Sequence, residues 1–285
     1  MRLAAVLLLG TAAFGAASAG AQERAGDVYE LQLQHHSSSE DSDGSTSSSN
    51  GSDVLIERVL EVTPEGLVLE YDLASEEGLP HGRQDQWQYP FRVFKPLDGP
   101  ARLLNAAELE ARIGPWLEHS EIPRAACGTW IFTWNAFRIE CDPQSVIEGV
   151  ARFDMRPDEL REGAPFHEPG AREPAQIATK SARPEGTTYV VELAIDPDWV
   201  RRGKAESDVV VGEIMREPVT LDDAFATHAA EQISGTITIT FETDANGSVR
   251  RRTKVTKLEI RKPDEVVETS TATETLERRL QPAAD

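Results

Sequence analysis

The strongest constraint on the fold lies near the end of the chain. Thr236-Ile237-Thr238-Ile239-Thr240-Phe241 alternates apolar and polar residues with a period of two, so one side of an extended strand is apolar and the other wet. Asp244-Ala245-Asn246-Gly247 supplies a turn, residues 248 to 261 return, and Lys262-Pro263-Asp264-Glu265 turns again into Thr-rich residues 266 to 276. The apolar phase changes between Val255 and Leu258, which predicts a bulge there.

A second meander opens the chain. Val28 to His35 alternates with Tyr29, Leu31 and Leu33 on one side; Val54 to Val62 and Leu67 to Leu73 follow, joined by the turn residues Thr63-Pro64-Glu65-Gly66. Between the first two strands, residues 37 to 53 include nine serines and nothing able to build a core, which predicts a mobile hairpin loop or disordered insert. Trp87 to Phe94 reads as a further strand, as do Thr187 to Ile195 and Asp208 to Met215.

Helices are expected between the meanders. Asn105 with Glu108 resembles a capping box ahead of Leu109, Ile113 and Leu117, with Gly114-Pro115 breaking or kinking that helix. Asp196-Pro197 suits a cap with Pro at the first helical position, and Thr220 with Asp223 caps a helix that aligns Leu221, Phe225, Ala229 and Ile233. The Pro-, Gly- and charge-rich span from 157 to 186 reads as a short helix and a long surface loop. Asp-Pro, Val and Gly recur at an offset of 54 between residues 139–149 and 193–203, a pattern that either a duplicated unit or the same capping chemistry used twice produces. The fold class that follows is α+β: a predominantly antiparallel, curved sheet with a few helices packed on one face. In outline it resembles the open half-barrel of periplasmic lipoprotein carriers, a likeness of shape with no shared motif.

The amino terminus carries Arg2, an apolar run from Val6 to Phe14 and small residues Ala17-Ser18-Ala19-Gly20-Ala21, the pattern of a signal peptide over residues 1–21 cleaved after Ala19 or Ala21. Residues 22–285 then form a single exported domain, periplasmic or secreted, with no transmembrane segment after cleavage. An oxidising destination makes Cys127 and Cys141 a disulfide pair, closing a hairpin that sets Thr129 opposite Ile139 and Ile131 opposite Phe137, with both faces buried.

Acidic side chains number 49 against 29 basic, a formal net charge of −20, which excludes nucleic acid as a general partner. Seven of the basic residues fall between Arg250 and Lys262, and Arg250, Arg252 and Lys254 share one strand face. They form either a strip for an anionic partner or pairs with neighbouring acidic strands. His35, His36, Asp41 and Asp43 are weak candidates for a metal site, although the calcium-loop spacing fails. The chain lacks a G-x-S-x-G elbow, H-E-x-x-H, P-loop or dinucleotide fingerprint, so no catalytic residue and no cofactor is assigned. Three functions remain open: a non-enzymatic module for a hydrophobic ligand, a lipid or an envelope partner; a hydrolase built from dispersed carboxylates; and a structural envelope protein without a pocket.

Overall fold

A computed structural model describes residues 23–77, 82–97, 99–132, 136–155, 157 and 159–282. The signal-peptide pattern of residues 1–21 lies outside them. Fourteen strands are described: β1 (Val28–Asp41), β2 (Thr46–Thr63), β3 (Gly66–Leu73), β4 (Phe91–Pro96), β5 (Arg102–Leu103), β6 (Trp130–Phe132), β7 (Ala136–Arg138), β8 (Pro165–Phe166), β9 (Ala175–Gln176), β10 (Ala178–Arg183), β11 (Gly186–Ala194), β12 (Gln232–Thr243), β13 (Val249–Arg261) and β14 (Val267–Leu280). The α-helices are α1 (Ala106–His119), α2 (Ser145–Ala151), α3 (Pro197–Met215) and α4 (Leu221–Thr227).

Ten strands make one antiparallel sheet in the order β10-β11-β12-β13-β14-β1-β2-β3-β4-β5. The two meanders are therefore one sheet, joined where β1 pairs with β14 from Tyr29 opposite Leu280 to Asp41 opposite Glu268. Period-two alternation sends one set of side chains from every strand to the core face. Leu31, Leu33, Leu55, Val59, Leu69, Phe91 and Val93 form an apolar cluster there with Leu109, Ile113 and Leu117 of α1 and with Val146 and Val150 of α2. Val191, Leu193, Ile237, Ile239 and Phe241 form a second cluster with Ile177 and with Val200 of α3.

Charged residues occupy the core face where the meanders meet. Arg278 of β14 lies over the Tyr29 ring at 3.4 Å and reaches across β1 to Glu57 of β2, donating from Nη2 at 2.6 Å and from Nε at 3.0 Å. The other Glu57 oxygen accepts the Tyr71 hydroxyl of β3 at 2.7 Å, and Glu23 also pairs with Arg278 at 2.8 Å. Glu57 is 1% exposed and Arg278 9%, so the pair and its hydrogen bonds are mutually required.

Several sequence expectations are corrected. The Ser-rich stretch is not a loop: β1 runs on to Asp41 and β2 begins at Thr46, in register, around a turn at Gly44 (φ +90°). A backbone ladder needs no apolar side chain, and β14 holds the other edge of β1, pairing Ser37 with Ala272 and Ser39 with Ser270. Residues 208–215 belong to α3, because Asp196 caps it by accepting from the Asp198 N–H and the helix runs on through Val209-Val210-Val211. Local β propensity yields to a capped helix packed against its neighbours. The 157–186 span contains no described helix and contributes β8, β9 and the edge strand β10. α1 continues through Pro115, and α4 ends at Thr227, leaving Ile233 in β12. The β13 register is continuous from Val255 to Leu258; the bulge lies instead at Glu242/Thr243.

Breaking the buried pair tests its role. Arg278→Ala leaves a buried carboxylate uncompensated and is expected to cost about 3–5 kcal/mol in urea unfolding. Replacing both Glu57 and Arg278 with Met is expected to restore most of that loss; equal loss in the single and double variants contradicts the assignment.

Candidate functional site: two cavities beside the Gln86–Phe91 segment

Trp87 to Pro90 precede the strand rather than belong to it, since β4 starts at Phe91. Pro90 has no N–H to give a ladder, and the segment before it runs between α1 and α2. Its position is fixed from α1: Arg112 donates to the Pro90 carbonyl at 2.9 Å, and Asn105 Oδ1 accepts the Arg92 N–H at 2.9 Å. The Asn105 side chain is thus spent on β4 and on Glu108 instead of capping the helix backbone.

On the α2 side lies a cavity of about 460 Å³. Leu55, Leu73 and Phe91 come to its wall from the sheet, and Val146, Val150 and Phe153 from α2 and the residues after it. Gly149 also lines it, and a Cβ at that position would meet nothing within 4 Å. Gln88 belongs to the same wall, and its Oε1 is buried without a hydrogen-bond partner among the described residues. The two carboxylates at the cavity are engaged: Asp53 pairs with Arg152 at 3.7 Å, and Glu140 pairs with Arg138 at 3.3 Å while accepting the N–H groups of Cys141 and Asp142. Burial pushes the Tyr89 phenol above its ordinary range; the Asp53 charge adds to that shift and Arg152 opposes it.

On the α1 side lies a groove of about 470 Å³ bounded by Trp87, Tyr89, Pro90, Pro115 and Trp116, with Arg83, Gln84, Gln86 and Arg112 at its polar positions. Trp87 is 2% exposed, and its indole N–H has no acceptor among the described residues. Arg83 is held by Asp72, whose Oδ1 accepts from Nη1 at 2.7 Å. Burial raises the Asp72 carboxyl, but hydrogen bonds from Arg83, the Leu73 N–H and Arg58, with the Arg83 charge, outweigh it and hold it below the usual carboxylate range.

The residues singled out by sequence are distributed elsewhere. Cys127 and Cys141 form a disulfide with Cα atoms 5.5 Å apart, and the hairpin pairs Ile131 with Phe137. Its expected burial on both faces is corrected: Phe132 is 63% exposed and Phe137 43%, because β6 and β7 form their own two-stranded sheet outside the main one. Arg252 and Lys254 are drawn inward onto Glu168, at 2.7 and 2.9 Å, while Arg250 pairs with Asp244 at 2.7 Å. Arg252 and Lys254 share a strand face, Arg250 sits where the β12–β13 register shifts, and each of the three already has an acid at hand. His35 and His36 point to opposite sides of β1, and Asp41 lies six residues along the strand, about 20 Å away at the rise of an extended chain. Asp43 sits in the turn, where its Oδ1 accepts the Ser45 N–H. Among the described residues, no group of three His, Cys, Asp or Glu side chains is placed to hold a metal ion. No described helix is long and apolar enough to cross a membrane.

No family model matches the chain, and no curated protein matches it closely enough to count. Among solved structures it is similar to one titled "Lipid-protein interactions in lipovitellin", with a TM-score of 0.42 and 10% identity over 92% of this chain. The match covers 26% of that chain, so the protein spans about a quarter of its length.

The Asp72 shift has a definite sign. Its carboxyl is depressed in the folded protein, so its contribution is present above the unfolded value and lost as pH falls through the folded one. Urea midpoints measured between about pH 5 and about pH 3, where carboxylates ordinarily titrate, are expected to fall more steeply for the native chain than for Asp72→Asn. Parallel slopes contradict this.

Proposed function

We propose that the protein is an exported, non-enzymatic binding module that takes a hydrophobic ligand into the cavity between α2 and the sheet. In this reading residues 1–21 are removed as a signal peptide, residues 22–285 act as one domain in the periplasm or outside the cell, and the sheet curves around helices packed on one face. The observation that carries the reading is the cavity itself. About 460 Å³ is the size of a small-molecule site, and its wall is mixed, with Leu55, Val146 and Phe153 on an apolar side and Asp53, Ser145 and Arg152 on a polar one. A lipid or another amphipathic envelope molecule has that chemistry: an apolar body for Val146, Val150 and Phe153, and a polar end for Ser145 and Arg152.

The engaged state of Glu140 weighs against a paired-carboxylate hydrolase at this cavity. A general acid or base needs a carboxyl free to exchange a proton with substrate, and Glu140 is committed to the Arg138 guanidinium and two backbone N–H groups. Arg250, Arg252 and Lys254 are likewise better read as internal pairing partners than as a docking strip.

Gly149 provides a clean test, because it is exposed on α2 and its side-chain position is open. The native chain is expected to bind the apolar probe N-phenyl-1-naphthylamine with enhanced fluorescence. Gly149→Trp is expected to weaken that binding by about tenfold or more while keeping the circular dichroism spectrum. Probe binding unchanged by the substitution, or no enhancement with the folded native chain, contradicts the proposal.

A further inference from the structure

The cavity between α2 and the sheet carries an acid and a base that face each other. Asp53 lies two residues before Leu55 on β2, so alternation puts both on the core face, and Arg152 follows the last residue of α2. Their charged ends are 3.7 Å apart, too far for a hydrogen bond, and each side chain is more than half exposed. Among the described residues neither side chain has a hydrogen-bond partner. A guanidinium has five N–H donors and a carboxylate about four acceptor sites, so both keep their bonding capacity for a ligand. The second ion pair on this wall is different: Glu140 meets Arg138 at 3.3 Å and also accepts two backbone N–H groups. Tyr89, which lines the same cavity, senses both free poles, since the Asp53 charge adds to the upward shift that burial gives its phenol and Arg152 opposes it.

The polar side of the cavity therefore presents a positive and a negative pole next to each other, with no net charge between them. A headgroup with a single charge is attracted by one pole and repelled by the other. A headgroup with both charges gains from both, while an attached alkyl chain covers Val146, Val150 and Phe153. We infer that the ligand of this cavity is a zwitterionic amphiphile, its ammonium group at Asp53 and its anionic oxygens at Arg152. Turning these two side chains from each other to the ligand gives up little, because an exposed pair outside hydrogen-bond distance contributes little on its own. The inference rests on the reading of this cavity as the binding site and adds the charge class of what binds there.

Displacement of bound N-phenyl-1-naphthylamine from the full protein tests it, using three amphiphiles below their micelle-forming concentrations: zwitterionic N-dodecylglycine, anionic dodecanoate and cationic dodecylammonium. Near neutral pH the zwitterion is expected to displace the probe from the native chain at about fivefold lower concentration than either ion. Asp53→Asn is expected to bring dodecanoate level with the zwitterion, and Arg152→Gln to do the same for dodecylammonium. A general loss of stability does not shift the two variants in opposite directions, and the ranking in the native chain needs no variant to fold. N-methylglycine, the headgroup without its chain, is expected to displace nothing at these concentrations, which separates an amphiphile from a free zwitterion. Equal displacement by the three amphiphiles, a variant that moves all three alike, or N-methylglycine as effective as its dodecyl counterpart overturns the inference. Probe enhancement without charge selectivity overturns this inference alone, whereas no enhancement with the folded native chain overturns the cavity reading along with it.

Discussion

The pairing of β1 with β14 makes one structure out of two meanders. Residues 28–73 and residues 232–280 each form an antiparallel run through local turns, and β11 joins the second run across α3 and α4, but only the β1–β14 ladder makes the two core faces continuous. Arg278 holds that seam on the core side. Lying over Tyr29 and reaching Glu57, which in turn accepts from Tyr71, it links four consecutive strands through one guanidinium. A buried ion pair adds little net stability over an apolar substitute, yet it strongly penalises any register that leaves a charge unmatched. A slip of one residue between β1 and β14 would send Arg278 to the opposite face and leave Glu57 without its cation.

The rest of the core follows from that division. One apolar cluster spans the seam from Leu276 of β14 through Leu31 and Leu33 of β1 and is closed by α1 and α2; the other lies on β11 to β13 and is backed by α3 and the loop that carries Glu168. Glu168 repeats the seam's logic on β13, where Arg252 and Lys254 would otherwise put two cations among Ile239, Phe241 and Leu276. α2 is only seven residues long and leaves open space over Leu55, Leu73 and Phe91, and the Gln86–Phe91 segment separates that space from the aromatic groove beneath α1. The cavity and the groove are thus consequences of how short helices cover a wide sheet.

Much of this was legible in the residues. The alternation of Thr236 to Phe241 gives the core face of β12, and Leu109, Ile113 and Leu117 give the buried stripe of α1. Asp196 and Thr220 cap the helices that their spacing indicates, and the hairpin closed by Cys127 and Cys141 keeps the expected register. The Ser-rich half of β1 and β2 was hidden because its order comes from backbone pairing with β14, which no local pattern reports. Glu57 and Arg278 did leave a signal: each is a charged residue in the apolar phase of its strand, between Leu55 and Val59 and between Leu276 and Leu280. Two opposite charges placed inward on separate strands imply a meeting across the sheet, although sequence alone does not say which strands adjoin. The cavities were the least legible, because Trp87 and Gln88 read as strand residues until Pro90 and the flanking helices are placed.

Two kinds of buried polar group therefore coexist in one core. Arg278, Glu57 and Glu168 are satisfied and specify the fold; Gln88 Oε1 and Trp87 Nε1 have no hydrogen-bond partner among the described residues, and the two residues line the cavity and the groove. The cavity between α2 and the sheet underlies the reading of the protein as a binding module for a hydrophobic ligand. Native mass spectrometry of the protein purified from its own host tests it most directly. The expected result is a discrete adduct whose extract contains a lipid or another amphipathic molecule, absent from the Gly149→Trp variant prepared in the same way. A spectrum of bare chain from every gentle preparation, or an adduct equally abundant in the variant, contradicts the account.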